Sequence, residues 1–226
     1  MGLRVCRVPA PDEVAERIVW DLRRMGYGRA VFVAHSYGTF VLARVLKRFP
    51  ERVHNVVMLD PAAILLAAPD LLYNFIYKGP CTDSWAAFSK DAVKAVCQRD
   101  PGLAATMCRK FYWHALNLWP EDIPAGAVVF VAGRDALLPS GAIVRMLEMF
   151  GRHVDLVYDP DAEHAHAPLH VDEFMRAVNA MRKWMPAAGA VTAGGGTAGG
   201  GGGCRRDWDS SLAVRGSLRG PSAPPD

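Results

Sequence analysis

The chain has 226 residues, a length that suits one domain or at most two. Hydrophobic residues make up 51% of it, and 26 basic against 23 acidic residues leave a formal net charge of +3. That balance, with no basic cluster interleaved with aromatics, argues against nucleic acid as a partner. The five cysteines are odd in number and form no C-x-x-C, so neither a zinc site nor a disulfide framework is indicated.

The opening stretch "MGLRVCRVPAPDE" has no apolar core of the kind a secretory leader needs. No run approaches the roughly 20 apolar residues of a membrane span. A reduced, cytoplasmic setting is favoured over a secreted one.

Residues 12–25 are expected to form a helix, with Val14, Ile18, Leu22 and Met25 on one face and Gly26 ending it. Residues 30–34, "AVFVA", are a short continuous apolar run, the pattern of a strand covered on both faces. Helical spacing returns over 37–48 through Phe40, Val41, Arg44, Val45 and Arg48. A second buried strand follows at 55–59, ending in Asp60-Pro61.

Residues 61–123 break the rhythm as a long, mostly helical insertion. It carries Tyr73, Phe75, Tyr77, Trp85, Phe88, Phe111, Tyr112, Trp113 and Trp119, a concentration of rings that could line an apolar pocket. A third strand is expected at 127–132, a helix at about 140–150, a fourth strand at 153–158 and a last helix at about 170–185. Strands and helices alternating through short links predict an α/β fold, a mostly parallel sheet flanked by helices. Residues 187–226 hold 11 of the 21 glycines. They cannot bury enough apolar area to offset their ordering entropy, so they are expected to be a disordered tail.

The stretch "VFVAHSYGTF" sets Ser36 at the end of the first strand and the start of a helix. Strand, small-x-Ser-x-Gly turn and helix together make a nucleophile elbow, which raises the hydroxyl above the sheet edge and beside free backbone N–H groups. The competing reading is a serine capping an ordinary strand-to-helix turn. A serine hydroxyl needs a base, and the base needs an acid to hold its tautomer. Asp135 follows the third strand in "AGRDALLP", and His164 follows the fourth in "YDPDAEHAHAPLH". Serine, acid and histidine thus come in the order this architecture requires, at matching strand ends.

Rivals remain. Asp60 also ends a strand but reads equally as a turn or helix cap. His166 competes with His164 as the base. Of the other histidines, His35 neighbours the serine along a different direction of the turn, His114 lies in the insertion, His170 starts the last helix, and His54 and His153 precede strands. "EHAH" at 163–166 is the one stretch with metal-ligand spacing, and no metal or other cofactor is expected.

These motifs resemble the α/β-hydrolase superfamily: "AHSYG" its G-H-S-x-G elbow, "VAGRDALLP" its acid turn and "EHAHAPLH" its histidine loop. The insertion, in "LLYNFIYKGP" and "RDPGLAATMCRKFYWHALNLWPEDIP", resembles the lid of poorly characterised fungal and algal members. The resemblance covers residues 11–185. It implies a partial α/β-hydrolase domain over 1–186 with a lid at about 61–123. Ser36 would be the nucleophile, Asp135 the acid and His164 the base, with the Tyr37 N–H as oxyanion donor. His35, Tyr73, Phe75 and Tyr112 are assigned to substrate contact. The implied activity is hydrolysis of an acyl bond, an ester of a small apolar substrate. Only 30 residues precede the elbow stretch "VFVAHSYGTF", so the resemblance implies an N-terminally truncated member with strand 30–34 as an exposed hydrophobic edge. The alternative is a weak or inactive relative that acts, if at all, through that open edge.

Overall fold

A computed structural model describes residues 8–79, 96, 100–109, 112–165 and 179. The chain divides into two units, Met1–Met185 and Pro186–Asp226, and the described residues all fall in the first. Apart from residue 179, the expected last helix lies outside the described residues, as do His166, His170, the aromatics Trp85, Phe88 and Phe111 and the glycine-rich tail.

Helix α1 (Pro11–Arg24) begins with proline at its first turn, where a missing N–H costs nothing. The Glu13 carboxylate accepts the Ala10 N–H at 2.9 Å, and Gly26 turns the chain out at φ 83°. The buried face differs from the expected one by a small rotation. Ala15 and Val19 are fully buried, Val14, Ile18 and Leu22 are half-buried, and Met25 is exposed. Small residues at 15 and 19 let α1 pack closely on α2 (Gly38–Arg48). The arginines of α2 have a use beyond its helical spacing. Arg44 and Arg48 both bond the Asp12 carboxylate, at 2.8 and 2.9 Å, and Arg48 also reaches Glu16 at 2.6 Å.

Four strands, β1 (Ala30–His35), β2 (Val53–Leu59), β3 (Val128–Ala132) and β4 (Asp155–Asp159), form a parallel sheet in the order β1-β2-β3-β4. β2 and β3 are buried almost throughout, as expected of apolar runs covered on both faces. Val56, Met58, Val129 and Val131 point into the larger core with Phe40, Ala43 and Val45 of α2 and Ile143, Met146 and Leu147 of a later helix, Ser140–Phe150. Val57, Leu59, Val128 and Phe130 form a second cluster on the opposite face. β1 is an edge strand among the described residues, and its Val33 is 43% exposed.

Between β2 and β3 the described insertion residues include helical turns Asp70–Leu72 and Tyr73–Tyr77, the latter with the wider π-type winding, and helices Pro101–Arg109 and Trp113–Leu116. The first and last stretches of the insertion are bonded to each other and to α2. The Leu118 N–H donates to Ala63 O at 2.7 Å, and the Leu66 N–H to Asn117 Oδ1 at 2.8 Å. Arg44 and Lys47 donate to Ala115 O and Asn117 O, at 3.1 and 2.6 Å.

Candidate active site

The C-terminal ends of β1, β2 and β3 and the loop after β4 meet at one point. At the end of β1 the chain turns sharply enough to set Ser36 at φ 47°, a left-handed conformation that is unusual for serine and typical of a strained elbow. The turn is held by hydrogen bonds, among them the Thr39 N–H to Ser36 O at 2.9 Å. The Ser36 N–H donates to Leu59 O of β2 at 3.0 Å, and Ser36 O accepts the Thr39 hydroxyl at 2.6 Å. Thr39 is fully buried, and its oxygen also accepts the Ala63 N–H at 3.0 Å, so one side chain links the elbow to the loop after β2.

The elbow's demand for small neighbours is met by a pair. A Cβ added at Gly38 would lie 3.9 Å from the Ala34 Cβ, an ordinary contact. Alanine would therefore fit at 38 because 34 is itself small, and glycine is not obligatory there.

Asp135 sits in the turn after β3. Its side chain is 1% exposed, and Oδ1 accepts the N–H groups of Leu137 and Leu138 at 2.7 and 3.0 Å. Oδ2 lies 2.6 Å from Nδ1 of His164, and Nε2 of His164 lies 2.9 Å from Ser36 Oγ. The start of the acid turn is fixed by Gly133, where a Cβ would meet the backbone of Pro160 at 2.6 Å. Burial lowers the pKa of His164, but the hydrogen bond and charge of Asp135 and the charge of Asp60 outweigh it, and the net effect is upward.

Asp60 does not reach His164 Nδ1, which Asp135 holds. It is 2% exposed, and both its oxygens bind backbone: Oδ1 the Ala132 N–H at 3.0 Å and Oδ2 the Ala165 N–H at 2.8 Å. Burial pushes its pKa up, against those two hydrogen bonds. Sequence reasoning gave Asp60 only the roles of rival acid or cap, and Thr39 no role. Their partners are backbone groups distant in sequence, which leave no motif.

The His35 ring lies 5.3 Å from that of His164, centre to centre, and its Nε2 is 3.8 Å from Asp60 Oδ2, beyond hydrogen-bond reach. Burial, then the charge of His164, holds its pKa down at about 4, against the pull of Asp135. Tyr37 opens α2, so its N–H belongs to the first helical turn; its ring packs edge-on against Phe40. Tyr73 and Phe75 lie in the turn that is bonded to the acid loop by Asn74 Nδ2 and Leu137 O at 3.1 Å. Tyr73 is 60% exposed and stacks on Tyr77. Tyr112 lines a cleft with Ala10, Pro11, Asp12, Ala115 and Leu116, beside the start of α1. None of its described contacts is with Ser36, Asp135 or His164.

Asp60, Asp135 and His164 each offer a ligand atom within 4.8 Å of the others. Hydrogen bonds already engage those side chains, so the cluster reads as a polar network.

Residues 10–123, half of the chain, match a family model described as alpha/beta hydrolase fold. Solved structures of similar shape include a meta-cleavage product hydrolase from Pseudomonas fluorescens (TM-score 0.53, 17% identity, 80% of this chain and 75% of that one). An esterase from Thermogutta terrifontis has TM-score 0.52 and 18% identity over 78% of this chain and 72% of its own. An N-acyl homoserine lactone degrading enzyme, Est816, has TM-score 0.52 and 18% identity over 76% and 75%. At these identities the likeness shows the fold alone. No curated protein matches the sequence.

Proposed function

This chain belongs to the alpha/beta hydrolase fold family, and we propose that it is a serine hydrolase that cleaves a carboxylic ester of a small apolar substrate. The observation that carries the proposal is the pair of hydrogen bonds through His164, 2.9 Å to Ser36 Oγ and 2.6 Å to Asp135 Oδ2.

In this reading the Ser36 oxygen attacks the ester carbonyl as His164 Nε2 takes its proton. Asp135 keeps Nδ1 as the protonated nitrogen and stabilises the imidazolium. The oxyanion of the tetrahedral intermediate forms beside the Tyr37 N–H at the start of α2, where backbone donors favour negative charge. His164 then gives its proton to the leaving alcohol, and an acyl group remains on Ser36. A water molecule, deprotonated by the same imidazole, releases the acid and restores the serine.

An apolar substrate is supported by the rings of Tyr73 and Phe75 in the turn that Asn74 ties to the acid loop. In this reading His35, whose ring lies 5.3 Å from that of His164, also contacts the substrate. The test is turnover of a series of p-nitrophenyl esters by the wild type and by Ser36→Ala. Hydrolysis that favours apolar acyl chains and vanishes in the variant supports the reading. A wild type that hydrolyses none of them contradicts it.

One observation favours a second reading. Among the described residues β1 is an edge strand with Val33 exposed, the form of strand that pairs with another chain. A weakly active relative acting through that edge would show concentration-dependent association without turnover.

A further inference from the structure

We propose that Asp60 is a positioning residue, whose carboxylate ties the end of β3 to the histidine loop and so holds His164 between Asp135 and Ser36. This rests on the serine-hydrolase reading above. The carboxylate is almost wholly buried, and each oxygen is committed to one backbone N–H, Ala132 on one side and Ala165 on the other.

The two targets are well placed for that purpose. Ala132 is the last residue of β3, three before Asp135. Ala165 follows His164 directly and is held at φ 66°, a conformation alanine seldom adopts unless its surroundings impose it. Asp60 itself sits at φ 45°, which aspartate tolerates better than most residues. Its own N–H bonds Phe130 O at 3.0 Å, and the preceding carbonyl, Leu59 O, accepts the Ser36 N–H. One residue pair at the end of β2 thus touches the serine turn, the strand leading to the acid and the histidine loop.

Asparagine at 60 would keep one acceptor oxygen but point an NH₂ at one of the two N–H donors. Among the described residues the titratable groups facing His164 are Asp135, Asp60 and His35. Asp60 and Asp135 both raise its pKa, so removing the charge of Asp60 should move His164 downward.

The experiment follows inactivation of the full chain by a fluorophosphonate probe from pH 4 to 9, in the wild type and in Asp60→Asn, with circular dichroism as the folding control. The expected result is a plateau rate lowered about 10- to 100-fold, the worth of one charge-assisted hydrogen bond. The acid limb is expected to move to lower pH, which a purely structural defect would not produce. A folded Asp60→Asn protein with the wild-type plateau and the wild-type limb overturns the proposal. Amide hydrogen exchange of Ala165 in the wild type reads the tether without any variant. Slowing of about 100-fold or more is expected, and exchange at the unprotected rate overturns it. A wild type that is not labelled at Ser36 but keeps Ala165 protected would retain the tether and refute the hydrolase reading instead.

Discussion

His164 and Ser36 are separated by 128 positions in sequence, and their Nε2 and Oγ atoms stand 2.9 Å apart. The ring's other nitrogen is 2.6 Å from Asp135, a carboxylate whose second oxygen is pinned by two backbone N–H groups. Because the carboxylate can only accept, Nδ1 must carry the proton and Nε2 is left free to take one from the serine.

Asp135→Asn tests that chain of dependence. The amide keeps the shape of the side chain but can present a donor to Nδ1, which favours the wrong tautomer. The expected outcome is a loss of about 10⁴ in kcat with an unchanged fold, checked by ester turnover and circular dichroism. Loss of activity together with loss of fold would mean that the carboxylate serves the acid turn rather than the histidine.

The pH profile of the wild type follows from the same neighbours. In the proposed mechanism His164 must be neutral to accept the serine proton, and its neighbours hold its pKa above the ordinary 6.5. Activity should therefore fall as pH drops through a value higher than 6.5, so the acid limb of kcat/KM lies to the alkaline side of that of a free imidazole. A limb at or below 6.5 would contradict the electrostatic account.

His35 makes an opposite contribution, to stability. Its folded pKa, about 4, is below the unfolded 6.5. The unfolded chain thus binds more protons between these values, and stability is lost as pH falls from about 6.5 toward about 4. Replacing the titrating ring by His35→Gln should flatten the pH dependence of the denaturant midpoint in that window. An unchanged slope would show that His35 does not titrate as its surroundings require.

Two glycines should respond differently to alanine. At Gly133 the new Cβ would meet the Pro160 backbone at 2.6 Å, whereas at Gly38 its nearest neighbour is the Ala34 Cβ at 3.9 Å. Gly133→Ala should cost about 1–3 kcal/mol or more and lower activity by displacing the acid turn. Gly38→Ala should leave both nearly unchanged. Thermal unfolding of the two variants makes the comparison, and equal sensitivity would contradict the packing described.

How much of this was legible in the sequence depends on range. The strands 30–34, 55–59 and 127–132 stand out because each is a short apolar run bounded by turn residues, and the structure has strands at each with ends differing by one or two residues. Ser36, Asp135 and His164 could be singled out because each ends or follows such a run and they come in a fixed order. Asp60 and Thr39 could not be, because their partners, Ala132, Ala165 and Ala63, are backbone amides carrying no side-chain signature. On α1, hydrophobicity favours Met25 over Ala15, whereas close packing on α2 buries the smaller Ala15 and leaves Met25 exposed. In the insertion, ring content could not reveal that Tyr112 lies beside the start of α1 while Asn74 is bonded to the acid turn.

The claim on which everything else rests is that Ser36 is an activated nucleophile. The most direct test is covalent labelling of the purified full chain with a fluorophosphonate probe, with the modified peptide identified by mass spectrometry, beside Ser36→Ala. The account predicts a single adduct on Ser36 in the wild type and none in the variant. Labelling that persists in Ser36→Ala, or a folded wild type that takes no label, would contradict it.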